Sequence, residues 1–230
     1  MELIIQRDKE AAALLAARIV ANELRANPHA VLGLATGNTM EAVYRHLVRM
    51  HREQNLDFSK CNTFNLDEYV GLAATDPNSY RYFMNKHLFM HVNIKLENTH
   101  LPDGRAADLG AECRNYEALI ARTGGIDLQL LGIGRSGHIG FNEPLSALRS
   151  RTREKHSPRR PLNKTRRSSA GKTKCRAAQS RWVSARSSTR DAAYCSPRVR
   201  KRRASSLKRS KGLLRAWSLR ARCNYINAPR

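Results

Sequence analysis

Residues 1–150 predict an α/β fold, a Rossmann-like and mostly parallel sheet flanked by helices. Three observations predict it. Compact apolar runs such as Ala30-Val31-Leu32-Gly33-Leu34 alternate with stretches of helical length, the text of strand–crossover–strand units with right-handed connections. Those runs are apolar at successive positions, as in strands covered on both faces. Charge is balanced here, with 16 Lys+Arg against 17 Asp+Glu.

Leu3-Ile4-Ile5 is a short apolar opener. Asp8 to about Asn27 is Ala-rich with Leu15 and Ile19 at helical spacing, and Asn27-Pro28 closes that helix. The strand Ala30–Leu34 leads into Thr36-Gly37-Asn38-Thr39. A helix follows from Met40 to about Gln54, with Val43, Leu47 and Met50 on one stripe. Thr63–Leu66 reads as the next strand, with Asp67-Glu68-Tyr69 at its end. Tyr80–Val92 and Ala107–Arg122 read as helices, and Tyr80, Tyr82, Phe83, Phe89 and Met90 as core. Ile126–Gly134 is another buried strand and runs into Arg135-Ser136-Gly137-His138.

Composition excludes several classes. No run approaches the roughly 20 apolar residues of a membrane span. Met1–Glu10 lacks the basic and apolar regions of a secretory signal. Five cysteines without a CxxC pair fit neither a disulfide framework nor a zinc site. A reducing cytoplasm is the expected location, with no membrane partner.

In parallel sheets ligands sit beyond the carboxyl ends of the strands. Three polar clusters occupy that place: Thr36–Thr39, Asp67–Tyr69 and Ser136–Glu143. A strand-Thr-Gly-Asn-Thr-helix turn offers backbone N–H groups to an anion, or is a glycine turn with Thr39 as N-cap. Asp67-Glu68 is a pair of site acids or a solvated strand end. His138 with Glu143 is an acid/base pair or a histidine satisfied by a structural carboxylate.

The strings carrying these clusters are Leu32-Gly33-Leu34-Ala35-Thr36-Gly37-Asn38-Thr39, Phe64-Asn65-Leu66-Asp67-Glu68-Tyr69-Val70-Gly71-Leu72, and Gly132-Ile133-Gly134-Arg135-Ser136-Gly137-His138-Ile139-Gly140-Phe141-Asn142-Glu143-Pro144. Over residues 1–155 they resemble the glucosamine-6-phosphate deaminase family in order and spacing. Asp76-Pro77-Asn78-Ser79-Tyr80 and Glu112–Glu117 resemble its text as well, and phosphogluconolactonases, which share the fold, resemble it less.

The resemblance implies conversion of glucosamine 6-phosphate and water to fructose 6-phosphate and ammonia, without redox cofactor or metal. By position, Asp67 matches the base that takes the C2 proton. His138 matches the acid/base that opens the ring between O1 and O5, and Glu143 the carboxylate that supports it. Thr36, Gly37, Asn38 and Thr39 match the turn that holds the substrate phosphate. Ser136 lines the site where the family carries Asp or Asn, and a serine cannot hold a charge. Ala35 and Met40 replace prolines beside the phosphate turn, and Leu145 replaces a small residue. Ser146, Arg153 and Lys155 match positions where some members bind an activating sugar phosphate, with a solvated loop as the alternative. A homo-oligomer is implied for a complete domain.

Residues 156–230 read differently, as a basic Arg/Ser-rich tail expected to be irregular. Residues 151–230 hold 26 Lys+Arg against 2 Asp+Glu, and Leu, Ile, Val and Phe number 8 of 80, too few for so charged a segment to fold. Charge alone gives nonspecific nucleic-acid binding, and a degenerate α/β domain with a nucleic-acid-binding tail is the alternative function. A reading frame displaced near Lys155-His156 explains more. Taking the last base of each codon with the first two of the next, His156–Arg159 can encode Thr-Leu-Thr-Pro. Arg176–Ser188 can encode Pro-Arg-Arg-Ala-Ile-Thr-Met-Gly-Val-Gly-Thr-Ile-Leu. Trp182, with its single codon, gives Met when the preceding base is A. These strings resemble the family's missing half. The 230-residue chain is accordingly expected to expose apolar sheet surface, aggregate and be inactive.

Overall fold

The computed structural model describes residues 3–134, 137–142, 151–156, 181–184 and 189–195. Asp8 caps the first helix, α1 (Lys9–Ala26), by accepting from the Ala11 N–H at 2.7 Å. Its inward stripe is Ala13, Ala16, Ala17, Val20, Ala21 and Leu24, whereas Leu15 and Ile19 are only half-buried. Small side chains let α1 lie close to its neighbours, so alanine spacing rather than the large apolar residues sets the face. Leu3 and Ile5 are exposed and lie outside any strand.

Strand β1 (Val31–Leu34) is buried at all four positions. Helix α2 (Asn38–Gln54) starts two residues earlier than expected and buries Met40, Val43, Tyr44, Leu47 and Met50. It ends at Asn55 in the left-handed region, φ 52°. Strand β2 (Asn62–Asn65) follows, then a separate short strand, β3 (Asp67–Tyr69).

Ser79 caps α3 (Tyr80–His87) by accepting from the Tyr82 N–H at 3.0 Å. The helix expected through Val92 stops here because the backbone leaves helical geometry at Leu88, φ −140°. The bend sends both Leu88 and Phe89 inward and leaves Met90 66% exposed, so Met90 is not core. Strand β4 (Thr99–His100), helix α4 (Leu109–Arg122) capped by Asp108, and strand β5 (Ile126–Gly132) complete this part.

Five strands form one parallel sheet in the order β4-β2-β1-β5-β8, where β8 is Thr189–Cys195. Leu32 pairs with Thr63 on one side and Leu128 on the other. Alternate residues of the strands face opposite layers. Leu32, Leu34, Leu128 and Leu130 pack with α1 and α2, and Val31, Phe64 and Ile126 pack with Tyr116 and Ile120 of α4. Gly33 is required where it stands, since a Cβ there would collide with the Gln129 side-chain amide from β5.

The chain builds β1, β2 and β4 outward, then returns to lay β5 on the other side of β1. That reversal opens a crevice between the carboxyl ends of β1 and β5, where ligands bind in such sheets. A second, antiparallel sheet runs β3-β7-β6, with β6 at Arg153–His156 and β7 at Arg181–Ser184. The tail is therefore not wholly irregular. Backbone N–H and C=O groups pair without regard to side chain, so β7 and β8 join ladders although their residues lack strand periodicity. Among the described residues no helix is long and apolar enough to cross a membrane.

Candidate functional site

The first cluster follows β1. The chain passes from Leu34 through Ala35 and Thr36 to Gly37, whose φ of 113° favours glycine, and enters α2. Gly37, not Thr39, occupies the N-cap, and no side chain caps this helix. The Met40 N–H donates to the Gly37 carbonyl at 2.8 Å, and the Asn38 and Thr39 N–H groups stand beside the hydroxyls of Thr36 and Thr39, both half-buried, a donor set of the kind an anion accepts. The Tyr44 hydroxyl donates to the Ala35 carbonyl from inside and pins the turn.

The second cluster follows β2. The Asn65 amide donates to the Leu34 carbonyl at 3.3 Å, tying the ends of β1 and β2 together. Asp67 and Glu68 are 5% and 4% exposed, which rules out a solvated strand end. They differ in role. The Glu68 carboxylate accepts from the N–H groups of Tyr69, Tyr80 and Arg81 at 2.8, 2.9 and 2.9 Å. It thereby caps α3, and although burial raises its pKa these bonds oppose the rise. Asp67 accepts no hydrogen bond among the described residues. Burial, with the Glu68 charge adding, pushes its carboxyl up to about 8.

The third cluster follows β5. The Gly134 N–H donates to the His138 carbonyl at 2.8 Å and the Gly137 N–H to the Gly134 carbonyl at 3.0 Å, closing a tight turn. The half-buried His138 ring lies so close to Gly134 that a Cβ at that position would strike it. Ile139 and Asn142 then exchange N–H···O bonds of 3.1 and 3.0 Å around Gly140. A Cβ placed on Gly140 would stand 3.1 Å from Asp67 Oδ2. The loop carrying His138 is thus folded onto the Asp67 carboxylate.

Ser136, Glu143 and Ser146 lie outside the described residues. Arg153 and Lys155, on β6, reach the same loop. Arg153 donates to Asn142 Oδ1 at 3.0 Å, and Lys155 to Asn142 Oδ1 and the Phe141 carbonyl at 3.2 and 3.1 Å. Three aromatic rings close the arrangement: Phe141 stacks on Tyr80 at 5.6 Å and 17°, and Tyr69 packs edgewise on Phe141 and at 5.0 Å against Tyr80. Tyr80 was expected in the core, but its hydroxyl interacts with Thr36 and Tyr69. The signal that could have placed it was its position, directly after the Asp76-Pro77-Asn78-Ser79 cap and so at the sheet's carboxyl edge.

A cavity of about 250 Å³ lined by Arg81, His100, Glu112 and Tyr116 includes none of the three clusters. The crevice with the acid, the imidazole loop and a helix N-terminus that no side chain caps is the better candidate site.

The family profile for glucosamine-6-phosphate isomerases/6-phosphogluconolactonase matches residues 6–190. The chain belongs to this family. It is 53% identical over 152 residues to glucosamine-6-phosphate deaminase of Bacillus velezensis, covering 66% of this chain and 63% of that one. With glucosamine-6-phosphate deaminase 1 of Bacillus subtilis the identity is 54% over 138 residues, covering 60% and 57%. The chain thus spans about three fifths of the length of these curated relatives. A solved monomeric glucosamine-6-phosphate deaminase superposes with a TM-score of 0.72 at 39% identity, covering 81% of this chain and 76% of that one. The 6-phosphogluconolactonase of Thermotoga maritima, at 19% identity and a TM-score of 0.58, shares the fold; 80% of this chain and 76% of that one are covered.

Proposed function

We propose that this family member's site is that of a glucosamine-6-phosphate deaminase, which converts glucosamine 6-phosphate and water to fructose 6-phosphate and ammonia. The carrying observation is Asp67, a buried carboxylate that accepts no hydrogen bond among the described residues and is covered by the glycine loop of His138. In this reading His138, supported by Glu143, transfers the proton between O1 and O5 that opens the ring. Asp67 then removes the C2 proton and returns it at C1, and water replaces the departing ammonia at C2. Thr36–Thr39 hold the phosphate with backbone N–H groups and hydroxyls.

The electrostatics suit a substrate that carries an ammonium group. With its carboxyl pushed up to about 8, free Asp67 is largely protonated at neutral pH. A cation bound beside it favours the carboxylate. Binding an amino sugar therefore generates the base, and a neutral sugar phosphate does so less well. Ser136 holds no charge, so His138 and Glu143 carry ring opening between them. Arg153 and Lys155 are the cations that an effector's phosphate would draw from Asn142, with Ser146 joining them by family position. The enzyme is cytoplasmic in this reading, and a complete domain forms a homo-oligomer, although the solved relative is described as monomeric.

Residues 156–230 are, in the same reading, an out-of-frame translation of the family's second half. The break in composition supports it, and the 53% identity to the Bacillus velezensis relative extends over 152 of the 230 residues. A nucleic-acid role needs a separate argument, because the tail's charge alone guarantees retention on polyanions. The test is to express the 230-residue chain and a version with one base restored at codon 155. Ammonia release coupled to fructose 6-phosphate formation is expected from the restored protein and not from the 230-residue chain. Activity in neither sinks the deaminase reading, and equal activity in both sinks the frame displacement.

A further inference from the structure

Tyr80 is the side chain through which the three clusters meet. It opens α3, and its N–H donates to Glu68 Oε1 at 2.9 Å, next in sequence to Asp67. Its ring stacks on Phe141 at 5.6 Å, three residues beyond His138. Its hydroxyl interacts with Thr36, at the entry to the phosphate-binding turn, and with Tyr69. The three clusters sit on separate segments, the turn between β1 and α2, the strand β3 and the loop of His138, each held by its own bonds. Without a common element their relative positions would depend on three independent backbone segments, and small misplacement is costly when a base and an acid must act on adjacent atoms.

We propose that Tyr80 is a positioning residue that locks the loop of His138 over Asp67 and makes that lock responsive to an anion at Thr36–Thr39. The ring supplies the lock. Stacking with Phe141, with Tyr69 edgewise on Phe141 and tilted against Tyr80, defines one position of the loop at a cost no flexible aliphatic contact imposes on alternatives. The hydroxyl supplies the response. An anion that takes the Thr36 hydroxyl as donor competes with the Tyr80 hydroxyl, with which Thr36 interacts, and the ring stacked on Phe141 carries the change to the loop. The proposal rests on the phosphate reading of the turn, but not on the deamination chemistry.

The test uses the full 230-residue chain, with the frame-restored protein in its place should that chain aggregate, ring-¹³C phenylalanine as the label, inorganic phosphate as the probe, and NMR as the readout. Phe141 is one of five phenylalanines, and its resonance is assigned by its loss in Phe141→Leu. Tyr80→Leu is expected to move the Phe141 resonance to the position of an unstacked ring, while Tyr80→Phe leaves it in place. Phosphate is expected to shift Phe141 in the wild type but not in Tyr80→Phe, although both unfold at the same temperature. A merely structural tyrosine would change the melting temperature and leave the phosphate response intact. An unmoved Phe141 in Tyr80→Leu, no phosphate response in the wild type, or an equal response in Tyr80→Phe overturns the proposal. Should Tyr80→Leu fail to fold, the comparison of wild type with Tyr80→Phe decides alone. Ammonia release by the frame-restored protein is measured separately, so failure of the deaminase reading is visible as such.

Discussion

The two sides of β5 show what a sheet needs from its sequence. On one side β1 offers Val31, Leu32, Gly33 and Leu34, all buried, with Gly33 leaving room for the Gln129 amide. On the other β8 offers Thr189-Arg190-Asp191-Ala192-Ala193-Tyr194-Cys195, which pairs Leu128 with Asp191 and Leu130 with Ala193. Both ladders are parallel and in register. A backbone ladder can thus form along either text, but only the first text supplies side chains suited to a face covered by helices. The polar site is built almost wholly from the first region. Among the described residues it leans on the second through β6, whose Arg153 and Lys155 fasten Asn142, and through β7, which pairs with β3 and sets Ser184 opposite Asp67.

The strongest test of that division is at Asp67. In the frame-restored protein Asp67→Asn is expected to lower kcat by roughly 10²–10⁴-fold, the scale of losing a general base, with no loss of melting temperature. Its neighbour should behave oppositely. Glu68→Gln keeps one acceptor of three N–H bonds, so it is expected to cost about 1 kcal/mol of stability in urea unfolding, with a smaller effect on kcat. Equal effects of the two substitutions on rate would mean that the buried pair acts as a unit and that the separation of roles is wrong.

Asp67 also makes stability depend on pH. Its carboxyl is raised from the ordinary range to about 8 in the folded state. Between those values the folded protein keeps a proton that the unfolded chain has lost, so stability falls as pH rises from about 4 toward 8 and then levels. Glu68 is shifted in the same direction, so it contributes to the same decline. Asp67→Asn is expected to flatten this slope, gaining on the order of a few kcal/mol relative to wild type at pH 8 compared with pH 4. Denaturant midpoints at the two pH values measure it, and parallel curves for the two proteins would place the carboxyl in water.

In β1, Gly33→Ala is expected to cost about 1–3 kcal/mol, because its Cβ meets a Gln129 side chain that is itself fully buried and cannot swing away. A neutral outcome in urea unfolding would mean that β1 and β5 separate more easily than the packing implies.

The strands β1 and β5 were legible because a doubly covered strand writes largely apolar text, whereas β2, Asn62-Thr63-Phe64-Asn65, does not and was read from its place between a helix and the Asp67 cluster. Burial of Val43, Leu47 and Met50 was legible from spacing alone. The helix α1 was legible, but its inward face was not, because that stripe is alanine, which hydropathy weighs lightly. Met90 and Tyr80 were misread for a shared reason: an aromatic-rich helical segment looks like core whichever way its axis turns. The turn at Leu88 and the placement of α3 at the sheet's carboxyl edge come from the caps and from Glu68, twelve residues away from Tyr80. Such long-range pairings leave no periodicity. The hold of Arg153 and Lys155 on Asn142 was invisible likewise, because it joins a strand to a loop more than ten residues earlier.

The smallest expected effect probes the other side of β5. Ala193→Pro removes one backbone donor from β8 opposite Leu130. Among the described residues β8 pairs only with β5, so it is an edge strand, where proline is tolerated better than in a central one. The cost should be roughly 1 kcal/mol, one net hydrogen bond, and smaller than that of Gly33→Ala. Urea unfolding of the two variants side by side measures the ratio. If proline at 193 costs as much as the change at Gly33, β8 is as integral to the sheet as β1, and the displaced text must then be folding through more than its backbone. If it costs nothing, the parallel sheet gains its stability from β1, β2, β4 and β5, and a frame-restored strand would have its own contribution still to add.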